Sequence, residues 1–514
     1  MLARVYSAAV QGIDAYPIEI EVNAGEGAWG DPQTIVVGLP DVAVKESRDR
    51  VKTALENSGF RHPKGRTTIN LAPADIKKEG PSFDLPIALG IVAAMEEGEL
   101  KDLGDYIIIG ELALSGAVRP VRGVLPITLC AKQQRKRAVI VPAENAGEAA
   151  IVQGIDVYPV QNLRQTVEFL AGRSTIQPLR EDPERFFRDH HVYEVDFADV
   201  KGQESVKRAL EVAAAGGHNI LMIGPPGTGK SMLAKRIPTI LPQMSLDEAL
   251  ETTKIHSITG LLKKEQALVA TRPFRSPHHT ISDAGLLGGT SNPSPGEVSV
   301  ANHGVLFLDE LPEFKRSALE VMRQPLEDGH VTISRASGTM TFPSDFMLVA
   351  AMNPCQCGFY GDPKRECRCS PSQIQRYRNR VSGPLLDRID IHVEVPAIAY
   401  KEMRGEATGE ASEKIRARVE EARTIQRRRF ADKPKVHSNA RIGPKEIKGF
   451  CALDEQSHEL LKMAMGELNL SARAYDRILK VARTIADLEH SDRIQSNHVS
   501  EAIQYRAFDR QFWV

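Results

Sequence analysis

Eight consecutive residues, Gly224, Pro225, Pro226, Gly227, Thr228, Gly229, Lys230 and Ser231, have the types and order that wrap a chain of phosphates. The glycines let backbone N–H groups close round phosphate oxygens, Lys230 reaches the β- and γ-phosphates, and the Ser231 hydroxyl binds Mg²⁺. The helix expected to follow adds favourable partial charge at its N-terminus. Farther on, the apolar run Val305 to Leu308 ends in Asp309 and Glu310. Asp309 suits the Mg²⁺ shell and Glu310 can orient and polarise an attacking water. Asn353 closes a second apolar run, Leu348 to Met352. It can hydrogen-bond the γ-phosphate or the water if its strand lies between the other two, or it is a turn residue that ends the strand. Taken together these residues predict hydrolysis of ATP with Mg²⁺.

A second constellation is Cys355, Cys357, Cys367 and Cys369, four of the six cysteines, gathered in one loop. Four soft ligands suit tetrahedral Zn²⁺, although the spacing within each pair is shorter than the usual one, and a chance cluster is the alternative. So few cysteines in a chain of this length make no disulfide framework, which fits a reducing compartment. The adjacent His278 and His279 read as structural or partner contacts rather than ligands.

The elements that must position these residues follow from periodicity. Between 196 and 396, short runs that are apolar throughout, such as Asn219 to Ile223, Val305 to Leu308 and Met347 to Ala351, alternate with helical stretches. That pattern predicts a parallel sheet covered by helices on both faces. Residues 397–514 read as a helical domain, with helices at Glu413 to Phe430, Asp454 to Leu468, Ala472 to Glu489 and Ser496 to Phe508, the last closing it. Residues 1–172 mix strands (Ile18 to Val22, Thr67 to Leu71, Tyr106 to Ile109, Ala138 to Val141) with amphipathic helices such as Val44 to Ser58, an α/β domain. The polar stretch 173–195 loses both periodicities and reads as a linker.

With 514 residues the chain is long enough for several cores. Lys and Arg number 66 against 67 Asp and Glu, a net charge of -1, which excludes a protein that coats nucleic acid through bulk charge. Any such contact must come from local patches. One candidate is the run Lys414, Arg416, Arg418, Arg423, Arg427, Arg428, Arg429, Lys433 and Lys435, a pattern more common on solvated faces. No apolar stretch approaches the roughly 18 residues of a membrane span, so no membrane partner and a cytoplasmic location are expected.

Three blocks, Arg272 to Thr280 (RPFRSPHHT), Gly304 to Leu311 (GVLFLDEL) and Ser382 to Asp390 (SGPLLDRID), closely resemble the ComM/YifB family of magnesium-chelatase-like AAA+ proteins, and the likeness runs along nearly the whole chain. The resemblance implies an AAA+ core at 196–396, a helical lid after it, and a homo-hexameric ring. It implies that Arg388 is an arginine finger entering the neighbouring subunit's ATP site, and that Arg473 in Ser471 to Ala474 is a second sensor on the lid. The segment Gly329 to Phe342 reads independently as a β-hairpin turning at Ala336 to Gly338. It resembles the pre-sensor hairpin shared by magnesium chelatases and replicative MCM helicases, and in the helicases its basic tip faces the ring channel. Arg335 could fill that role on DNA phosphates, or be an ordinary exposed turn residue.

The N-terminal domain resembles the Lon-protease fold at Glu79 to Ser82, Gly110 to Leu112 and Arg119 to Pro126. The segment aligning with the Lon lysine holds Leu125, so Ser82 lacks the base a serine nucleophile needs, and peptidase activity is not expected. For function, the resemblance implies a DNA motor for branch migration or helicase work in recombination of incoming DNA during natural transformation, with recombination proteins as further partners. The alternative is a protein-remodelling motor like the magnesium-chelatase subunit.

Overall fold

The computed structural model describes residues 2–25, 33–95, 99–190, 193–263, 266–289, 293–335, 338–362, 365–397, 409–433, 436–468 and 470–506. The hairpin tip at Ala336 and Ser337, Lys435 of the basic run, and Ala507 and Phe508 at the expected end of the last helix fall outside them. The chain forms two compact units, Met1–His190 with Leu246–Ala270, and His191–Ser245 with Thr271–Val514.

In the first unit, β1 (Leu2–Gln11) and β2 (Asp14–Ala24) form a long antiparallel hairpin. It is joined by β3 (Thr34–Val37) and β4 (Thr67–Ala72) in the order β1-β2-β4-β3. The helix Asp84–Met95 is apolar on every side and almost wholly buried, as a helix covered all round must be. It lies close against this sheet because residue 90 is glycine, where a Cβ would come 2.6 Å from Val22 Cγ2. Its first residue, Asp84, is buried and bound at 2.8 Å by Arg50. A second sheet is wholly parallel: β5 (Tyr106–Ile108) and β9 (Asp156–Val160) flank β8 (Ala138–Pro142). The short pair β6 (Glu111–Leu112) and β7 (Val118–Arg119) follows β5 in the chain.

The helix Leu246–Thr259 packs in this first unit, although it lies inside the stretch 196–396 that the sequence pattern groups with the ATPase core. Its Ser257 hydroxyl binds Glu148 at 2.5 Å and accepts from the Gly123 N–H at 3.0 Å. Its Leu250 sits against the core of Leu125, Val139 and Val157. Periodicity shows that a helix has an apolar face but not which core that face meets.

The second unit is built on a five-stranded parallel sheet. Its strands are β10 (Ile220–Ile223), β11 (Phe274–Arg275), β12 (Val305–Leu308), β15 (Met347–Met352) and β16 (Ile391–Glu394), in the order β11-β12-β15-β10-β16. The three central strands, β12, β15 and β10, are buried at every position, which explains their unbroken apolar runs. A hairpin of β13 (His330–Arg335) and β14 (Gly338–Pro343) interrupts the chain before β15. Helices then fill the C-terminal part, among them Ser412–Arg429, Glu455–Glu467, Ala472–Leu488 and Ser496–Gln504. Val419, Ile478 and Val481 share one core with Val212 and Ala213 of the helix Glu204–Gly216.

Two buried carboxylates tie these helices down. Asp390, in the turn before β16, accepts from the Asn219 N–H at 3.2 Å and from His218 at 3.3 Å, and pairs with Arg477 of the helix Ala472–Leu488. Burial alone would raise its pKa, but Arg477 and His218 outweigh that and hold it well below the usual carboxylate range. Asp487, at the other end of that helix, binds Arg429 at 2.7 Å, Arg483 at 3.1 Å and Asn439 at 2.8 Å. Removing it strands two guanidinium groups in a buried setting. Asp487→Ala is therefore expected to destabilise the second unit by about 3–5 kcal/mol, read from urea unfolding followed by circular dichroism. A loss below about 1 kcal/mol would mean that the network is slack.

Candidate nucleotide-hydrolysis site

Three strand ends meet at the site. β10 runs into the glycine-rich loop, β12 ends at Asp309 and β15 ends at Asn353, and β15 lies between the other two. The positional condition for Asn353 is therefore met. Its Oδ1 accepts a hydrogen bond from Lys230 Nζ at 3.2 Å. The same ammonium donates to the carbonyls of Gly224 at 2.7 Å and Pro225 at 2.9 Å, so it rests on its own loop. Ser231 Oγ donates to Asp309 Oδ2 at 2.6 Å, which puts the two groups expected on Mg²⁺ side by side. Gly227 and Gly229 adopt positive φ, +80° and +87°, so both loop turns need glycine. Thr228 closes the loop by donating to the Pro225 carbonyl at 3.0 Å.

Glu310 stands just past β12 in a left-handed conformation, φ 53°, with its N–H bound to Asp309 Oδ1 at 2.9 Å. A non-glycine residue held there is a strained position of the kind found at working sites. Its carboxylate is more than half exposed and lies 3.4 Å from His279 Nδ1. His279 thus contacts the water-activating candidate directly, a contact the bare His278-His279 pair did not reveal. Gln203, also left-handed, donates its side-chain amide to the carbonyls of Thr228 at 2.9 Å and Pro396 at 3.1 Å, and so clamps the phosphate loop from outside. Nothing in local periodicity marks Gln203; only its contacts do.

The remaining expected residues lie elsewhere in the second unit. Arg388 is buried, paired with the Glu327 carboxylate and donating to the Pro384 carbonyl, while its Nε finds no acceptor among the described residues. Burial lowers its pKa, with Glu327 opposing. Arg473 is exposed and 3.7 Å from Asp387, next to Arg388 in the chain. Arg335, at the end of β13, is exposed and donates to the Gly289 carbonyl at 3.2 Å. Of the basic run, Arg418 is bound to Glu211 and Glu410, Arg429 to Asp487 and Lys433 to Glu446, so much of it serves the fold. The four clustered cysteines converge: their sulfurs lie within 4.8 Å of one another.

Residues 196–403 match the family described as magnesium chelatase, subunit ChlI. Residues 20–145 match subunit ChlI of Mg-chelatase, and 409–506 its C-terminal part. The chain is 45% identical to competence protein ComM of Haemophilus influenzae over 99% of this chain and 98% of that protein. The chain belongs to the ComM/YifB family. It is likewise 44% identical to the uncharacterized protein YifB of Escherichia coli, again over 99% of this chain and 98% of the relative.

The likeness of this ComM/YifB chain to Lon is narrower. Lon protease 2 of Bacillus subtilis is 31% identical over 127 residues, 24% of this chain and 22% of that protein. Within the first unit Ser82 lies in the short turn Pro81–Phe83, and Leu125 is a buried core residue whose N–H binds Glu148 at 2.7 Å. Among the described residues no helix is long and apolar enough to cross a membrane.

Burial pushes the Lys230 ammonium down to about 8, with nearby Asp309 opposing the shift. The phosphates of ATP would restore the charged form, so binding takes up a proton wherever the free site has lost one. Nucleotide affinity is thus expected to fall as pH rises from about 7 to about 9. Calorimetry in buffers of different ionisation enthalpy should show proton uptake growing over that range. Equal uptake at both ends would contradict the depressed lysine.

Proposed function

We propose that this chain is an AAA+ ATPase that works as a ring, a homo-hexamer, and moves DNA. The observation that carries the ATPase reading is the contact set at the three strand ends, Lys230 with Asn353 and Ser231 with Asp309. In this reading the loop 224–231 holds ATP, and Ser231 and Asp309 hold Mg²⁺. Glu310, steadied by His279, directs the water, and Asn353 senses the γ-phosphate. Lys230 neutralises developing charge in the transfer step. A structural Zn²⁺ at Cys355, Cys357, Cys367 and Cys369 completes the cofactors.

Arg388 is the finger given to the neighbouring copy. Its guanidinium is already desolvated, and exchanging the Glu327 carboxylate for a γ-phosphate keeps it paired with an anion. Arg473, exposed beside it, acts as the second sensor. The DNA reading is supported by the end-to-end likeness to a protein named for competence and by the hairpin whose strand ends at Arg335. On this reading the motor serves branch migration or helicase work on incoming DNA during natural transformation, beside recombination proteins in the cytoplasm. The first unit is a scaffold rather than a peptidase, since Leu125 stands where a Lon-type base would.

The test is steady-state ATP turnover with single-stranded, duplex and four-way-junction DNA at one stated moderate salt concentration. DNA is expected to stimulate turnover, and Arg335→Ala to remove the stimulation. Glu310→Gln should retain ATP yet stop hydrolysis, and Arg388→Ala should slow it on the order of 10³-fold without loss of nucleotide binding. If no DNA form binds or stimulates, the protein-remodelling motor replaces this reading.

A further inference from the structure

The loop that follows Asn353 carries four thiols to one point. Cys355 Sγ lies 3.3 Å from Cys357 Sγ and 3.7 Å from Cys367 Sγ, and the latter two are 3.6 Å apart. Cys369 Sγ is within 4.8 Å of all three. Four sulfurs each about 2.3 Å from a central Zn²⁺ stand about 3.8 Å apart along the edges of a tetrahedron. The observed spacings are close to that figure, and all six cysteines of the chain are free thiols. Cys355 is fully buried, so a thiolate there needs a cation to offset its desolvation.

This knot is joined to the nucleotide site at three places. Cys355 is two residues beyond Asn353, on the strand end between the phosphate loop and Asp309. Gly358, inside the knot, has φ +86° and is pressed against the phosphate loop: a Cβ there would come 2.6 Å from Pro226 Cδ. From the other side, the helix Pro371–Arg378 leaves the knot and returns to the same strand end. There Arg378 Nε donates to the Pro354 carbonyl at 3.1 Å, one residue beyond Asn353. The Arg378 guanidinium also lies 5.0 Å over the Tyr360 ring, closing the knot on itself.

We propose that the four cysteines form a tetrathiolate zinc centre that braces the wall of the nucleotide site, fixing Asn353 and seating the phosphate loop against Gly358. The proposal rests on the readings of the thiols as a zinc site and of 224–231 as the ATP loop. Its consequence is that ATP affinity depends on a metal that never touches the nucleotide. Loss of the ion frees the chain after Asn353, and the loop loses its backing at Pro226.

The test pairs metal content with nucleotide affinity on the full-length chain. Purified protein should carry one zinc per chain by mass spectrometry of the metal. Removal with a thiol-directed mercurial and chelator, followed by excess dithiol to strip the mercury from the cysteines, should weaken binding of a fluorescent ATP analogue at least tenfold, and added Zn²⁺ should restore it. Cys367→Ser should lose both zinc and affinity, whereas Gly358→Val should keep the zinc and still weaken the nucleotide. Removal and return of the ion in the unaltered chain covers the case in which Cys367→Ser does not fold. Zinc at one per chain, with affinity unchanged after its removal, overturns the brace and leaves the zinc site standing. A chain that holds no zinc, and takes up neither added Zn²⁺ nor Co²⁺, overturns the metal centre and the brace with it. Loss of ATP binding in every zinc-loaded form would instead count against the ATP loop.

Discussion

The insertion of β15 between β10 and β12 is the constraint on which the rest of the second unit turns. Parallel pairing in register sends three strands out of the sheet at one end, so a phosphate loop, an acidic pair and an amide arrive together without further adjustment. Lys230 on Asn353 and Ser231 on Asp309 are the two hydrogen bonds that record this meeting. A strand packed on both faces has little freedom to slip, because a shift by one residue would set side chains of the wrong size into close-packed cores on both sides. The site therefore inherits its geometry from the core.

Outward from that sheet, fixed positions are passed along by buried charge. Asp390 holds the chain entering β16 and, through Arg477, one end of the helix Ala472–Leu488. Asp487 holds the other end against Arg429 and Asn439. Such pairs contribute little net stability compared with apolar packing, but they fix where a helix lies. Arg473 lies on that helix, and Arg388 in the turn that Asp390 anchors. Arg473 and Arg388 are thus carried by segments that buried carboxylates tie down.

Much of this was legible in the sequence where one local signal sufficed. The glycine-rich loop, the acidic pair and the apolar run before Asn353 each announce their element, and the central strands follow from runs with no polar break. Helix extents came within a few residues: Val44 to Ser58 was expected and Val42–Asn57 is found, Glu413 to Phe430 against Ser412–Arg429. Strand ends were less legible, since pairing rather than composition extends β2 to Asp14–Ala24. Partnership outside these motifs was not legible. No periodicity tells that the helix Leu246–Thr259 joins the first unit, that Gln203 clamps Thr228, that His279 meets Glu310, or that Arg388 is buried against Glu327. These depend on which surfaces meet, and that is decided by the fold as a whole.

The claim that joins these parts is that each hydrolysis site takes Glu310 from one copy and Arg388 from the next. Mixing two inactive proteins, Glu310→Gln and Arg388→Ala, and measuring ATP turnover of the mixture tests it directly. Where the two alternate in a ring, an intact Glu310 faces an intact Arg388, so the account predicts that activity returns in the mixture. If both proteins assemble together and turnover stays at the level of the separate inactive forms, Arg388 does not act across the interface and the shared site is wrong.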